Sequence, residues 1–104
     1  MKKAILIIGR PASGKSTKLK EILSNYKPDR VSILSFNSFS FYSPKELEQV
    51  DVVAVEEIYD AKQLEEILQV SAQINCQIIA TCQTGIFELT ETLLSNFEVI
   101  NCNV

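Results

Sequence analysis

The stretch Gly9-Arg-Pro-Ala-Ser-Gly14-Lys15-Ser16 holds the residue types that grip a chain of phosphates, at the spacing G-x-x-x-x-G-K-[ST]. Gly9 and Gly14 permit backbone conformations closed to other residues. Main-chain N–H groups, those of Ala12 and Ser13 included, can then curl around an anion. Lys15 brings a mobile positive charge to the β- and γ-phosphates of a nucleoside triphosphate. The Ser16 hydroxyl suits a Mg²⁺ ion, and Thr17 offers a further phosphate contact. A helix following the loop aims its positive end at the same anion. Arg10, at a variable position, either touches phosphate or is solvated. With glycine at about 7% of average composition, a chance match in a chain this short falls well under about one in a hundred.

A second group of chemistry-bearing residues lies mid-chain. Val52-Val-Ala-Val55 runs straight into Glu56-Glu57. An acid at the end of a buried strand can reach a phosphate-bound metal, which makes Glu56 the metal-side carboxylate. The acid after it suits orienting and deprotonating an attacking water, which makes Glu57 the catalytic one. Further on, Ala80-Thr81-Cys82-Gln83-Thr84 ends another apolar strand in polar residues. If that strand neighbours the first, Gln83, and after it Thr81, can sense the terminal phosphate or hold the water. Polar residues that merely turn the chain are the competing reading.

The elements that must position these groups alternate along the chain. Residues 4–8 are continuously apolar, as a strand buried on both faces must be. A helix is expected over about 15–25, with Leu19, Ile22, Leu23 and Tyr26 on one face. A strand over 31–36 carries polar interruptions, and Ser43-Pro44-Lys45-Glu46 has the form of a capping box opening a short helix. Residues 52–55 form a third strand. Asp60 caps a helix whose inward face is Leu64, Ile67, Leu68 and Ala72. A fourth strand covers 77–82, a last helix runs over about 86–95 with Ile86, Leu89, Leu93 and Leu94 inward, and a fifth strand covers 97–102. Strand–helix alternation with right-handed crossovers gives a parallel five-stranded sheet with helices on both faces, a three-layer α/β/α sandwich. The uniformly apolar strands one, three and four belong in the centre, and two and five at the edges.

At 104 residues the chain has room for one domain, 1–104. The apolar run after Met1-Lys2-Lys3 stops at Gly9-Arg10, too short for a leader or a membrane span. Histidine is absent, and the three cysteines (Cys76, Cys82, Cys102) form no Cys-x-x-Cys pair. They read as small core residues of a reduced, cytoplasmic protein. A net charge of −3 argues against general affinity for nucleic acid. The charge is unevenly spread: residues 1–30 hold eight Lys/Arg against two acids, and the remainder holds two lysines against eleven acids. Such polarity marks a basic phosphate site on an acidic surface, or opposite faces of a head-to-tail homo-oligomer. Phe36, Phe39, Phe41 and Tyr42 crowd four of the eight aromatics into seven positions. They either cover the sheet edge or a nucleotide base, or mark a partner surface.

The whole pattern resembles the P-loop NTPases. Within them it is similar to the additional-strand, catalytic-glutamate group of AAA+, FtsK-like and zonula-occludens-toxin-like ATPases. Gly9–Thr17 carries the likeness most specifically. Glu56-Glu57 resembles the group's acidic pair, with Glu56 where the family usually has Asp, and Ile78–Gln83 resembles its sensor strand. The resemblance implies ATP as the nucleotide, Mg²⁺ as cofactor and strand order 2-3-4-1-5, whereas burial alone allows the kinase-like order 2-3-1-4-5 equally. No arginine follows Arg30 and no basic residue follows Lys62, so an arginine finger or basic lid is absent from the later chain. The expectation is therefore an ATPase that is slow or activated by a protein partner. A nucleotide-binding switch and, less well supported, a small-molecule kinase stand as alternatives.

Overall fold

In the computed structural model, which describes residues 3–102, the apolar run Ala4–Gly9 forms strand β1 at the middle of a parallel sheet. The sheet also contains β2 (Val31–Ser35), β3 (Val52–Ile58), β4 (Gln77–Gln83) and β5 (Phe97–Asn101). Their order is β2-β3-β4-β1-β5, so β4 separates β3 from β1 as in the additional-strand group and not as in the kinase-like order. Val52, Val53, Ala54 and Val55 are all fully buried, which is why β3 carries no alternation of polar and apolar residues. The polar-interrupted strands β2 and β5 take the two edges.

The hand of the crossovers decides the layers. From β1 the chain passes through helix α1 (Lys15–Leu23) to the far edge at β2. Every later connection steps the opposite way across the sheet. Right-handed crossovers in opposite directions must lie on opposite faces. Accordingly α1 packs alone on one side, where Leu19, Ile22 and Leu23 meet Ile7, Val52, Ala54 and Ile79. Helices α2 (Phe36–Phe39), α3 (Pro44–Leu47), α4 (Ala61–Ser71) and α5 (Glu91–Leu94) cover the other face around Leu6, Val53, Val55, Leu64, Ile67 and Ile78. The result is the three-layer α/β/α arrangement.

Local chemistry explains the helix starts and corrects several expected bounds. Ser43 and Glu46 close their capping box in both directions. Asp60 accepts from Gln63 N at 2.9 Å, and the Gln63 side chain accepts in turn from Tyr59 N. The aromatic segment is partly helical, because the Ser35 hydroxyl accepts from Ser38 N and starts α2 at Phe36, ending the strand one residue before the expected bound. The expected last helix over 86–95 shrinks to Glu91–Leu94. Gly85 lies at φ 88, and Thr90 caps the helix by accepting from Leu93 N. Ile86 is therefore exposed and not inward-facing, whereas Leu93 is buried. Helix α1 stops at Leu23, short of residue 25, so Tyr26 joins the core cluster from the turn beyond it. Ala72 caps α4 at the surface and does not line its inner face.

Candidate functional site

The Gly9–Ser16 motif spans the turn between β1 and α1, at the carboxyl end of β1. Ala12 (φ 61) and Gly14 (φ 93) both take left-handed backbone conformations, the alternation that makes main-chain N–H groups converge into an anion-binding concavity. Helix α1 begins at Lys15 with no side-chain cap on its first turn. The N–H groups of Lys15, Ser16 and Thr17 therefore have no acceptor within the helix. Ala12, Gly14, Lys15, Ser16 and Thr17 line a cavity of about 320 Å³ there. The Lys15 ammonium donates to the carbonyls of Gly9 (3.1 Å) and Arg10 (2.9 Å), which folds it back over the loop.

Gly9 is constrained by space and not by dihedral angle. A methyl group there would run into the Ser13 hydroxyl, and would lie 3.1 Å from Cys102 Cβ and 3.2 Å from Lys15 Cγ. The Ser13 Oγ is buried and has no hydrogen-bond partner among the described residues, a cost that a polar group accepted into the loop would relieve. Gly9→Ala is expected to destabilise the fold by about 1–3 kcal/mol through overpacking. Adding Ser13→Ala should recover part of that loss, because it removes both the clash and the orphaned hydroxyl. A double-mutant cycle by urea denaturation measures the coupling.

Beside this loop, a second cavity of about 180 Å³ is lined by Lys15, Glu57, Thr81 and Gln83, among other residues. The sheet order makes this possible, since β4 lies directly against β1 with Ile7 opposite Thr81 and Gly9 opposite Gln83. The Thr84 N–H also donates to Gly9 O at 3.0 Å, carrying the β1–β4 pairing past the strand ends.

Glu57 enters this cavity through a β-bulge. Val55 pairs with Ala80 and Ile58 with Cys82, so three steps along β3 match two along β4, and one extra residue is left over. Glu57 takes up the mismatch at φ 62, a left-handed conformation costly for a residue with a Cβ. The bulge also resets the alternation of the strand. Val53 and Val55 face the α4 side, yet Ile58 faces it too. Glu56, in register with Ser35 of β2, continues the parity of Val52 and Ala54 toward the α1 face. It is half-buried, and it is not among the residues lining the Lys15–Glu57 cavity.

Of the residues singled out from the sequence, Gly9, Ala12, Ser13, Gly14, Lys15, Ser16 and Thr17 run from the end of β1 through the turn into the first turn of α1. Lys15, Glu57, Gln83 and Thr81 meet in one cavity. Glu56 stands at the same end of the sheet on the α1 side. Sequence reading did not single out Ile58, Tyr59, Cys82 and Ile86 as lining residues. The out-of-phase Ile58 after Glu56-Glu57 was the available signal for the bulge.

Cys82 is buried, and burial pushes its thiol up to about 11 against the nearby Lys15 charge, which pulls it down. An unfolded thiol, with its ordinary value of 9.0, loses its proton earlier than the folded one. Stability is therefore expected to fall as pH rises from about 9 to about 11. Thermal melts of wild type and Cys82→Ala across that range test this. Their difference should change with pH only there. Cys76 and Cys102 are half-buried free thiols at strand ends. Among the described residues, no helix is long and apolar enough to cross a membrane.

No protein-family model and no curated protein matches this chain. Among solved structures, the chain is similar to the DnaC helicase loader at 16% sequence identity and a TM-score of 0.46. That match covers 92% of this chain and 69% of the other.

Proposed function

We propose that this chain binds Mg²⁺-ATP at the Gly9–Thr17 loop and hydrolyses it slowly, or rapidly only when a protein partner activates it. The observation that carries this reading is the convergence of Lys15, Glu57 and Gln83 on one cavity beside the phosphate loop. An ordinary glycine turn before a helix has no reason to stand against a carboxylate and an amide drawn from two other strands.

The residues present fit the nucleotide and its metal. Left-handed Ala12 and Gly14, the free first turn of α1 and the orphaned Ser13 hydroxyl form a donor-rich cradle for phosphate oxygens. The Ser16 hydroxyl and the Glu56 carboxylate are the groups suited to hold Mg²⁺, which when bound neutralises charge on the phosphates. Lys15, released from its carbonyl partners, pairs with the β- and γ-phosphate oxygens. Glu57 accepts the proton of the attacking water, and Gln83 holds that water by its amide.

Partner dependence follows from the arginines. Arg30 is tied to Asp51 by a 3.1 Å ion pair at the amino ends of β2 and β3, at the other end of the sheet from the loop. Arg10, in the turn itself, is the chain's other arginine. A guanidinium supplied from outside is worth about 10³–10⁵ in rate for phosphoryl transfer. The second reading, a nucleotide-binding switch with negligible turnover, rests on the same shortage of cationic groups.

Mg²⁺-ATP binding by calorimetry together with phosphate release on the purified protein tests the proposal. Saturable binding with measurable turnover supports it. Binding without turnover favours the switch, and no binding of ATP or GTP overturns both.

A further inference from the structure

The cavity shared by Lys15, Glu57, Thr81 and Gln83 also has an apolar rim. Tyr59 and Ile86 line it too, and both remain exposed, Tyr59 at 59% and Ile86 at 43%. A single apolar side chain at the surface is ordinary. These two come from the turns that follow neighbouring strands, β3 and β4, and they stand at the same cavity. Its volume of about 180 Å³ is room for several waters, whereas hydrolysis uses one.

Hydrogen bonds hold the backbone of both turns. The Tyr59 N–H donates to Gln63 Oε1 at 2.6 Å, and the Gln63 N–H donates to Asp60 Oδ1 at 2.9 Å. The Tyr59 ring, mostly in solvent, keeps its side-chain rotamers open to it. Ile86 follows Gly85, whose φ of 88 turns the chain after β4. One residue earlier, the Thr84 N–H donates to Gly9 O at 3.0 Å, which ties this turn to the Gly9–Ser16 turn.

We propose that Tyr59 is a γ-phosphate-dependent cover for this cavity, its ring closing toward Ile86 when a nucleoside triphosphate is bound. The proposal rests on the nucleotide reading above and adds a residue to it. A γ-phosphate paired with Lys15 takes up the Lys15 side of the cavity and leaves space for little more than the water on Glu57. Closing Tyr59 and Ile86 over that space removes their apolar area from water. It also keeps bulk water from Glu57 and Gln83, where a drier site strengthens their hold on the reacting water. A diphosphate leaves the cavity wide and gives the ring nothing to close over. Tyr59 thus distinguishes ATP from ADP.

Acetylation by N-acetylimidazole, read at each tyrosine by peptide mass mapping, tests this on the full chain with Mg²⁺. The protein is compared alone, with ADP and with a non-hydrolysable ATP analogue, and calorimetry follows binding in parallel. A cover closed about nine-tenths of the time slows modification about tenfold, so the analogue should protect Tyr59 by about that factor and ADP by less than about twofold. Tyr42, 44% exposed and not part of the cavity lining, serves as the internal standard. Tyr59→Ala should lower turnover by about tenfold with nucleotide affinity within about twofold of wild type, and Tyr59→Phe should keep the wild-type rate, because the ring and not the hydroxyl makes the cover. If the analogue binds and Tyr59 stays as reactive as in the free protein, the cover is overturned and the nucleotide site stands. Equal protection by ADP also overturns it, since contact with the base or sugar then accounts for the shielding. If neither nucleotide binds, the underlying reading falls and the cover falls with it.

Discussion

Glu57→Gln should lower ATP turnover by about 10²–10⁴-fold, the usual contribution of a positioned general base. Nucleotide affinity should stay within about twofold of wild type. The amide keeps the size and hydrogen-bonding reach of the carboxylate but cannot take a proton from water. The companion variant separates chemistry from folding. Glu57 occupies the extra residue of the bulge at φ 62, where glycine fits without the steric cost a side chain meets. Glu57→Gly is therefore expected to match or exceed the wild-type melting temperature while losing turnover as severely as the Gln variant. A residue kept only for stability would not occupy a position that glycine fills better. Single-turnover phosphate release and thermal melts measure the two quantities. If Glu57→Gln turns over at the wild-type rate, the assignment of the base fails.

Lys15→Ala should weaken Mg²⁺-ATP binding by about 10–100-fold, the equivalent of the roughly 1.5–3 kcal/mol carried by a hydrogen bond to a charged group. Lys15 holds the carbonyls of Gly9 and Arg10, so its loss also loosens the turn that presents the main-chain donors. Lys15→Arg separates charge from geometry. The guanidinium keeps the charge but is a rigid planar fork where a compact ammonium fits, and it should restore little of the affinity. Calorimetric titration with a non-hydrolysable ATP analogue reads binding alone. Unchanged affinity in both variants would remove Lys15 from the phosphate site and with it the proposed function.

Much of the architecture was legible because burial writes directly into composition. Residues 4–8 and 52–55 carry no polar interruption, since they are covered on both faces. The caps at Ser43 and Asp60 were equally plain, since each acts on a backbone group three residues away. Less legible were elements governed by competition between local signals. The apolar spacing of Ile86, Leu89, Leu93 and Leu94 suggested three helical turns. Gly85 and the capping hydroxyl of Thr90 confined the helix to its last turn. The crowded aromatics divided between core and surface, with Phe39 buried and Phe41 exposed, because a four-residue helix turns only one side inward.

By itself the sequence determined the glycine-bounded turn between β1 and α1, the strands at the centre and edges, and the acidic pair on β3. Each of these depends on residues adjacent in the chain or on burial that any packing would require. Burial left the place of β4 open, since strands one, three and four are equally apolar and either order buries them. The resemblance implied β4 between β3 and β1, and the tertiary structure has it there. That choice brings Thr81 and Gln83 beside Lys15. The register of β4 against β3 leaves one residue over, and the strain of accommodating it falls on Glu57. A pairing across the sheet fixes that position, and the out-of-phase Ile58 is its one local trace.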